Sequence, residues 1–260
     1  MGRRRTTTSD PAADPALRLA QVDPDRWGLE ILCEDGPVLA VNKPAGLLTQ
    51  GAVYGNPPSV ESLVKAWLKR KYDKPGNVYL GVPHRLDRPV SGVLLFARNS
   101  KAAARLSEQF HERRVEKIYW ALVEGSPSPP EGVLVDWLRK VPNEARGEVV
   151  PPGAPDARKC SLTYRTLARG GAETLLEITL GTGRMHQIRL QLASRGRPIV
   201  GDQQYGARTA LPAPPPVGRA SAPIALHARR LSFLHPIRYD EITVTAPLPN
   251  VWPTFARSLH

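Results

Sequence analysis

His84-Arg85-Leu86-Asp87-Arg88-Pro89-Val90-Ser91-Gly92 runs straight into Val93-Leu94-Leu95-Phe96-Ala97. The second half is a short, continuous apolar run, the pattern of a central strand buried on both faces. The first half is a polar loop in which one carboxylate stands among two arginines and a histidine. Such close cations favour an ionised Asp87. An ionised aspartate on a loop can act as nucleophile, base or electrostatic stabiliser. A surface salt-bridge cluster has the same composition, and charge alone does not separate the two readings.

The same patterns extend in both directions along the chain. Leu29 to Leu32 and Val38 to Val41 flank the turn Glu34-Asp35-Gly36-Pro37 and read as strands. Pro57 to Arg70 reads as an amphipathic helix, with Ser59 as N-cap and Val60, Leu63, Val64, Trp67 and Leu68 on one face. After Ala97, Asn99 or Ser100 caps a helix carrying Ala102, Leu106 and Phe110. Strands are expected over Ile118 to Val123, Val133 to Leu138, Ser161 to Leu167, Thr174 to Leu180, Leu231 to Leu234 and Ile242 to Ala246. Arg184 to Arg195 reads as a helix stopped by Gly196. Many strands with a few scattered helices predict an α+β fold on a mixed, largely antiparallel sheet.

Composition bounds the function. The 260 residues are 41% hydrophobic and 23% charged, an ordinary globular balance, but the net charge is +12. A surplus of that size points to a polyanionic partner, with nucleic acid ahead of an anionic membrane. The longest apolar runs fall far short of the ~20 residues a membrane helix needs. Two cysteines, Cys33 and Cys160, make neither a disulfide framework nor a Cys-rich zinc site. The 27 prolines sit mainly in the loops around 127–130, 151–155 and 212–223 and near the N-terminus. Residues 1–26 read as a disordered basic and polar tail, 27–250 as one folded domain and 251–260 as a C-terminal tail. No apolar segment follows Arg3-Arg4-Arg5, so a secretory signal is not expected and a cytoplasmic location is.

Two further stretches carry chemistry. Gly181-Thr182-Gly183-Arg184-Met185-His186-Gln187-Ile188-Arg189 is a strand-to-helix turn whose backbone N–H groups suit an anion. Arg184 and Arg189 fall on different faces of the expected helix, and one of them can pair with Asp87 in a bidentate fork. In Lys117-Ile118-Tyr119-Trp120-Ala121-Leu122-Val123-Glu124-Gly125, strand alternation puts Lys117 and Tyr119 on the same face. Tyr119 is placed either to stack on a base or to fill a core.

Taken together, these stretches resemble the RluA-type pseudouridine synthases. His84-Arg85-Leu86-Asp87 ending in Ser91-Gly92 resembles that family's catalytic motif. Val41-Asn42-Lys43-Pro44-Ala45-Gly46 resembles its early motif, and Lys117 to Gly125 its tyrosine-bearing strand. Gly183 to Arg189, with Gly201-Asp202-Gln203-Gln204-Tyr205-Gly206, resembles its last signature. The resemblance covers about residues 30 to 246. It implies a pseudouridine synthase catalytic fold: a bent mixed sheet with flanking helices and a central cleft. It also implies that Asp87 is the catalytic aspartate, that Tyr119 stacks on the target base and that Arg189 pairs with the aspartate. Arg85 would fill the stack the base leaves, and His84, Arg88, Lys117 and Arg184 would contact RNA. The sequence departs from the family pattern at Arg88-Pro89-Val90 and at Gln191, which the resemblance relates to RNA fit. A tail of 26 residues is too short for a separate RNA-binding domain.

The implied reaction isomerises uridine in ribosomal or transfer RNA. It breaks the N1–C1′ bond, turns the base, forms a C5–C1′ bond and releases the C5 proton. It needs no net redox change, hydrolysis or energy input, so neither metal nor small-molecule cofactor is expected. RNA is the expected partner and a monomer the expected state. Two other readings compete: a non-catalytic RNA-binding protein on the same fold, and a metal-dependent nuclease. A mere binder has no use for an acid among arginines, and a nuclease wants clustered carboxylates.

The charge is also unevenly placed. His84 to Lys117 holds eight basic and four acidic residues, and Arg184 to Arg230 holds eight and one. Those two segments carry +11 of the +12. The expectation is therefore a basic cleft around a single carboxylate.

Overall fold

The computed structural model describes residues 22–51, 57–213 and 220–259. Among these residues ten strands form one sheet. They are β1 (Glu30–Asp35), β2 (Val38–Lys43), β3 (Ser91–Ala97), β4 (Glu116–Glu124), β5 (Glu131–Lys140), β6 (Gly147–Val150), β7 (Arg158–Gly170), β8 (Glu173–Leu180), β9 (Leu226–Leu234) and β10 (Glu241–Thr245). The helices are α1 (Val60–Lys71), α2 (Ser100–His111), the short α3 (Gln187–Ala193) and α4 (Thr254–Arg257). None of them is long and apolar enough to cross a membrane.

The sheet runs β1-β2-β3-β9-β4-β8-β7-β5-β6, with β10 on β9. Every pairing is antiparallel except β3 with β9, which is parallel and limited to Ser91 opposite His227 and Gly92 opposite Ala228. One edge of β9 is thus shared: its start pairs β3 and its later half pairs β10. The architecture is the expected α+β, mixed and largely antiparallel.

The apolar run of β3 is continuous because both of its faces are covered. Leu94 and Phe96 join Leu39, Val41 and α1 residues Val60, Leu63, Val64 and Leu68 on one side. Val93, Leu95 and Ala97 join Val38, Ala40, α2 residues Ala102 and Leu106, and Leu231, Phe233 and Val244 on the other. Both helices begin where the sequence places their caps. Ser59 Oγ accepts the Ser62 N–H, and Asn99 Oδ1 accepts the Ala102 N–H. Such caps each contribute about 1 kcal/mol. A third core, built from β4, β8, α3 and α4, holds the other half of the sheet.

Gly92 is a position where the fold admits no side chain. Its φ is +112°, and a Cβ there would lie 2.3 Å from the Ala228 carbonyl oxygen. The glycine that ends the charged loop is therefore required by the close approach of β9.

Three boundaries move. Residues 251–259 are not a tail: Trp252 is 2% exposed and Ala256 is fully buried in the third core, and Phe255 packs on Gly170. The ordered chain also begins before Trp27, because Val22 and Trp27 pack on the α1 core and Asp25–Trp27 form a 3-10 turn. The rest of the expected N-terminal tail lies outside the described residues. Finally, β6 adds a strand beyond those expected, and the helix expected from Arg184 starts only at Gln187.

Candidate active site

Asp87 occupies the turn entering β3, and its backbone is pinned on both sides. Thr49 Oγ1 accepts the Leu86 N–H at 3.1 Å and donates to the Leu86 carbonyl at 2.9 Å. Lys43 is fully buried, and its Nζ donates to the carbonyls of Pro44 (3.0 Å), Arg88 (3.1 Å) and Val90 (2.7 Å). The Val90 N–H donates to the Asp87 carbonyl and closes the turn. Below it, Ser91 Oγ meets His227 Nδ1 at 2.8 Å. His227 Nε2 faces the Ala246 carbonyl at 3.3 Å, an atom that can only accept, so Nε2 carries the ring proton and Nδ1 accepts from the serine.

Burial pulls the Lys43 ammonium down to about 7, against the pull of the Asp87 charge. An unfolded lysine keeps its proton to about pH 10.4. Lys43's contribution to stability is therefore complete above that pH and lost as pH falls through about 7. Unfolding free energies of the wild type and Lys43→Met, compared from about pH 7 to pH 9, are expected to diverge in favour of the wild type by up to about 1.4 kcal/mol per pH unit. A pH-independent difference contradicts this.

Arg189, on α3, does not make the expected fork with Asp87. Its fork goes to Asp202: Nε to Oδ2 and Nη2 to Oδ1, both at 2.7 Å, with Nη2 also donating to Gln204 Oε1 at 2.8 Å. Its guanidinium lies over the Tyr205 ring, 4.8 Å from the centroid. Both Arg189 and Asp202 are buried. Bidentate geometry explains the preference: a planar guanidinium is held best by a carboxylate that matches its edge. The remaining nitrogen, Nη1, points at Asp87 Oδ2 from 3.9 Å. His186 Nε2 approaches the same oxygen at 3.7 Å. No described residue donates a hydrogen bond to Asp87 Oδ1, so that oxygen stays free for a substrate.

Around this carboxylate a pocket of about 110 Å³ is lined by Tyr119, Arg85, Arg184, His186, Arg189, Leu180 and Leu226 among others. It opens into a cleft of about 1120 Å³ that also takes in His84, Arg88, Phe110, Lys117, Met185 and Gln204. Burial pushes the Tyr119 hydroxyl up, and the Asp87 charge adds to the shift, so it is a neutral phenol beside Asp87's pocket. Arg85, Arg88, Lys117 and Arg184 line the cleft and enter no ion pair among the described residues. By contrast Arg98, Arg114, Arg189, Arg195 and Arg230 are paired with Glu34, Glu112, Asp202, Asp136 and Glu116. Four of the cations of the two rich segments that have no carboxylate partner among the described residues therefore face the cleft.

Three expectations are corrected. His84 stacks on Phe110 with centroids 4.5 Å apart, and its Nε2 accepts the Leu95 N–H at 2.9 Å. Burial, with Lys117 nearby, pulls it down to about 3, so it is a neutral wall of the cleft rather than a cation for phosphate. The anion site expected at the turn before α3 is reduced, because the Arg184 N–H already donates to Gln187 Oε1, which also accepts from Thr182 Oγ1. Gln191 is fully buried and donates to Asp136 Oδ2, so it lies away from any RNA surface.

Asp202, Gln204, Tyr205, His186, Lys43 and Thr49 join the site without a role that their sequence context assigns. One signal is available: Asp202 is the single acid between Arg184 and Arg230. Lys43, His186, Gln204 and Tyr205 lie in the motifs quoted above, but their contacts, and Thr49 altogether, are found only by geometry.

Comparison with known proteins gives a consistent result. A family model described as RNA pseudouridylate synthase matches residues 37–194. The chain is 38% identical to the ribosomal large subunit pseudouridine synthase D of Xylella fastidiosa, over 91% of this chain and 70% of that one. It is 35% identical to the dual-specificity RNA pseudouridine synthase RluA of Vibrio vulnificus, over 82% and 80%. Several relatives are longer, and the chain spans 62% of one from Chloroflexus aurantiacus. Among solved structures, the human RNA pseudouridylate synthase domain containing 4 superposes with a TM-score of 0.70 over 95% of both chains, at 25% identity. The matched segment contains Asp87, Tyr119 and Arg189, and the chain belongs to the RluA-type RNA pseudouridine synthases, enzymes that isomerise uridine in RNA to pseudouridine.

Proposed function

We propose that this chain converts specific uridines of structured RNA to pseudouridine, with Asp87, Tyr119 and Arg189 as its catalytic centre. The observation that carries this is the Asp87 carboxylate: its backbone is locked, one oxygen is flanked by Arg189 and His186, and the other faces a pocket walled by a tyrosine. The target base is taken out of its stack, which costs a few kcal/mol and least in single-stranded loops. Tyr119 stacks on it, returning about 1–3 kcal/mol. Asp87 Oδ1 then acts at the sugar, either by attack at C1′ or by taking the C2′ proton. The C5 proton leaves to water; the neutral Tyr119 hydroxyl orients that water, or relays to it by giving up its own proton as it takes the new one.

Arg85, Arg88, Lys117 and Arg184 contact the phosphates around the cleft. Replacing any one of these cations by a neutral residue lowers affinity and the salt slope together. The reaction chemistry requires no cofactor. The chain acts as a monomer in the cytoplasm, on ribosomal or transfer RNA; the ribosomal large subunit pseudouridine synthases among its relatives support ribosomal RNA. A non-catalytic binder is disfavoured because Asp87, a cleft carboxylate that no arginine fork neutralises, weakens phosphate binding.

Chemical mapping of pseudouridine in total RNA, with and without the gene, tests the substrate. One or a few sites that vanish with the gene are expected, and an unchanged map overturns the proposal. The role of Tyr119 is tested separately by single-turnover rates. Tyr119→Ala is expected to slow isomerisation about 10- to 100-fold through the loss of stacking. Tyr119→Phe should recover RNA affinity but not the full rate. Equal rates for Phe and Tyr would leave the hydroxyl without a role.

A further inference from the structure

His186 is a second ring aimed at the reactive carboxylate. Its backbone is left-handed, with φ 53° and ψ 25°, a conformation that costs a residue with a side chain about 1 kcal/mol. Glycine or asparagine would sit there more easily, yet an imidazole is held there by two partners. His186 Nδ1 lies 2.7 Å from the Tyr205 hydroxyl. That hydroxyl already accepts the Gly147 N–H at 3.1 Å. Its single proton is therefore directed at Nδ1, which leaves the ring proton on Nε2. Nε2 points at Asp87 Oδ2 from 3.7 Å. The chain Gly147 to Tyr205 to His186 to Asp87 thus fixes one tautomer and one direction.

We propose that His186 is a positioning residue for Asp87: in the RNA complex its Nε2–H donates to Oδ2 and turns Oδ1 toward the sugar. The proposal rests on the isomerase reading above. The gap of 3.7 Å is longer than a hydrogen bond, and contacts of this kind commonly close only when substrate is bound, here by about 1 Å. Arg189 Nη1 approaches the same oxygen from 3.9 Å and shares in holding it, with the rest of its guanidinium fixed by the fork to Asp202. The other charged or titratable groups facing the ring are Arg189, Asp202 and Tyr205. Burial holds His186 below its ordinary value, so near neutral pH it is an uncharged donor that orients the aspartate without pairing with it as an ion.

The test uses the full chain and measures single-turnover isomerisation at saturating ribosomal RNA, RNA affinity and thermal stability. His186→Ala is expected to lower the rate about 30-fold with RNA affinity within about 3-fold of wild type, the size of one missing orienting hydrogen bond. His186→Gln, which keeps an N–H donor at the Nε2 position, should restore about 10-fold of that loss. Tyr205→Phe should slow the reaction because Nδ1 can then take the proton and present a lone pair to Asp87. The double variant His186→Gln/Tyr205→Phe should be no slower than His186→Gln alone. Wild-type rates in His186→Ala, or losses that follow melting temperature and not side-chain chemistry, overturn the proposal. Failure of the wild type itself to isomerise would remove the isomerase reading and this inference together, whereas an active wild type with indifferent His186 variants removes only the inference.

Discussion

Asp87→Asn is expected to lower isomerisation by about 10³-fold or more while leaving RNA affinity unchanged or slightly higher. The substitution keeps shape and hydrogen-bonding size, so Lys43, Thr49 and the Val90 turn still hold the loop. The variant lacks the carboxylate that attacks C1′ or accepts a C2′ proton. The sign of the affinity change follows from charge. Arg85, Arg88, Lys117 and Arg184 face the cleft without carboxylate partners among the described residues. Removing the carboxylate among them takes away a repulsion toward phosphate. Turnover and filter-binding assays on the same RNA check both halves. A parallel loss of affinity would instead mean that Asp87 builds the cleft and does not act in it.

The second large effect concerns Asp202. Truncation to Ala strands the Arg189 guanidinium, which is 4% exposed, without its fork. Leaving a buried charge unpaired costs about 3–5 kcal/mol, which for a domain of this size lowers the melting temperature by roughly 10 °C. The freed guanidinium also has another carboxylate 3.9 Å away. It is expected to shift toward Asp87, which recovers only part of that cost and occupies the carboxylate, cutting turnover by about 10- to 100-fold beyond what the fraction folded explains. Arg189→Ala should lower turnover far more than RNA affinity, because Arg189 lies behind Asp87 and not on the phosphate path. A thermal melt within about 2 °C of wild type for Asp202→Ala contradicts the buried-pair argument.

These two residues show how far the sequence can be read. The β3 run and the Asn99 cap are local facts, set by a strand covered on both faces and by a side chain reaching three residues on. Gly92 stands out from its motif, but its reason, the Ala228 backbone beside it, belongs to a parallel pairing between segments far apart in the chain. The site divides in the same way. Asp87, Tyr119 and Arg189 stand out as chemistry in polar stretches. Which carboxylate Arg189 grips is decided by tertiary geometry, since Asp87 and Asp202 are both acids in basic surroundings. His84 reads as a cation because charge is visible in sequence and stacking on Phe110 is not. The helix at Gln187 reads too long because Arg184-Met185-His186 have helical composition, while Gln187 caps the turn and His186 turns left-handed. β6 has only four residues and no alternation to reveal it. The C-terminal segment reads as a tail because Trp252 and Phe255 are isolated apolar residues in sequence and core residues in space.

A single unencumbered carboxylate in a basic cleft is what separates an isomerase from a binder here. Release of tritium from ribosomal RNA labelled at uridine C5, incubated with the purified chain and no added metal or cofactor, measures this directly. One equivalent of tritium per pseudouridine formed is expected from the wild type and none from Asp87→Asn. Tight RNA binding by the wild type with no tritium released would contradict it.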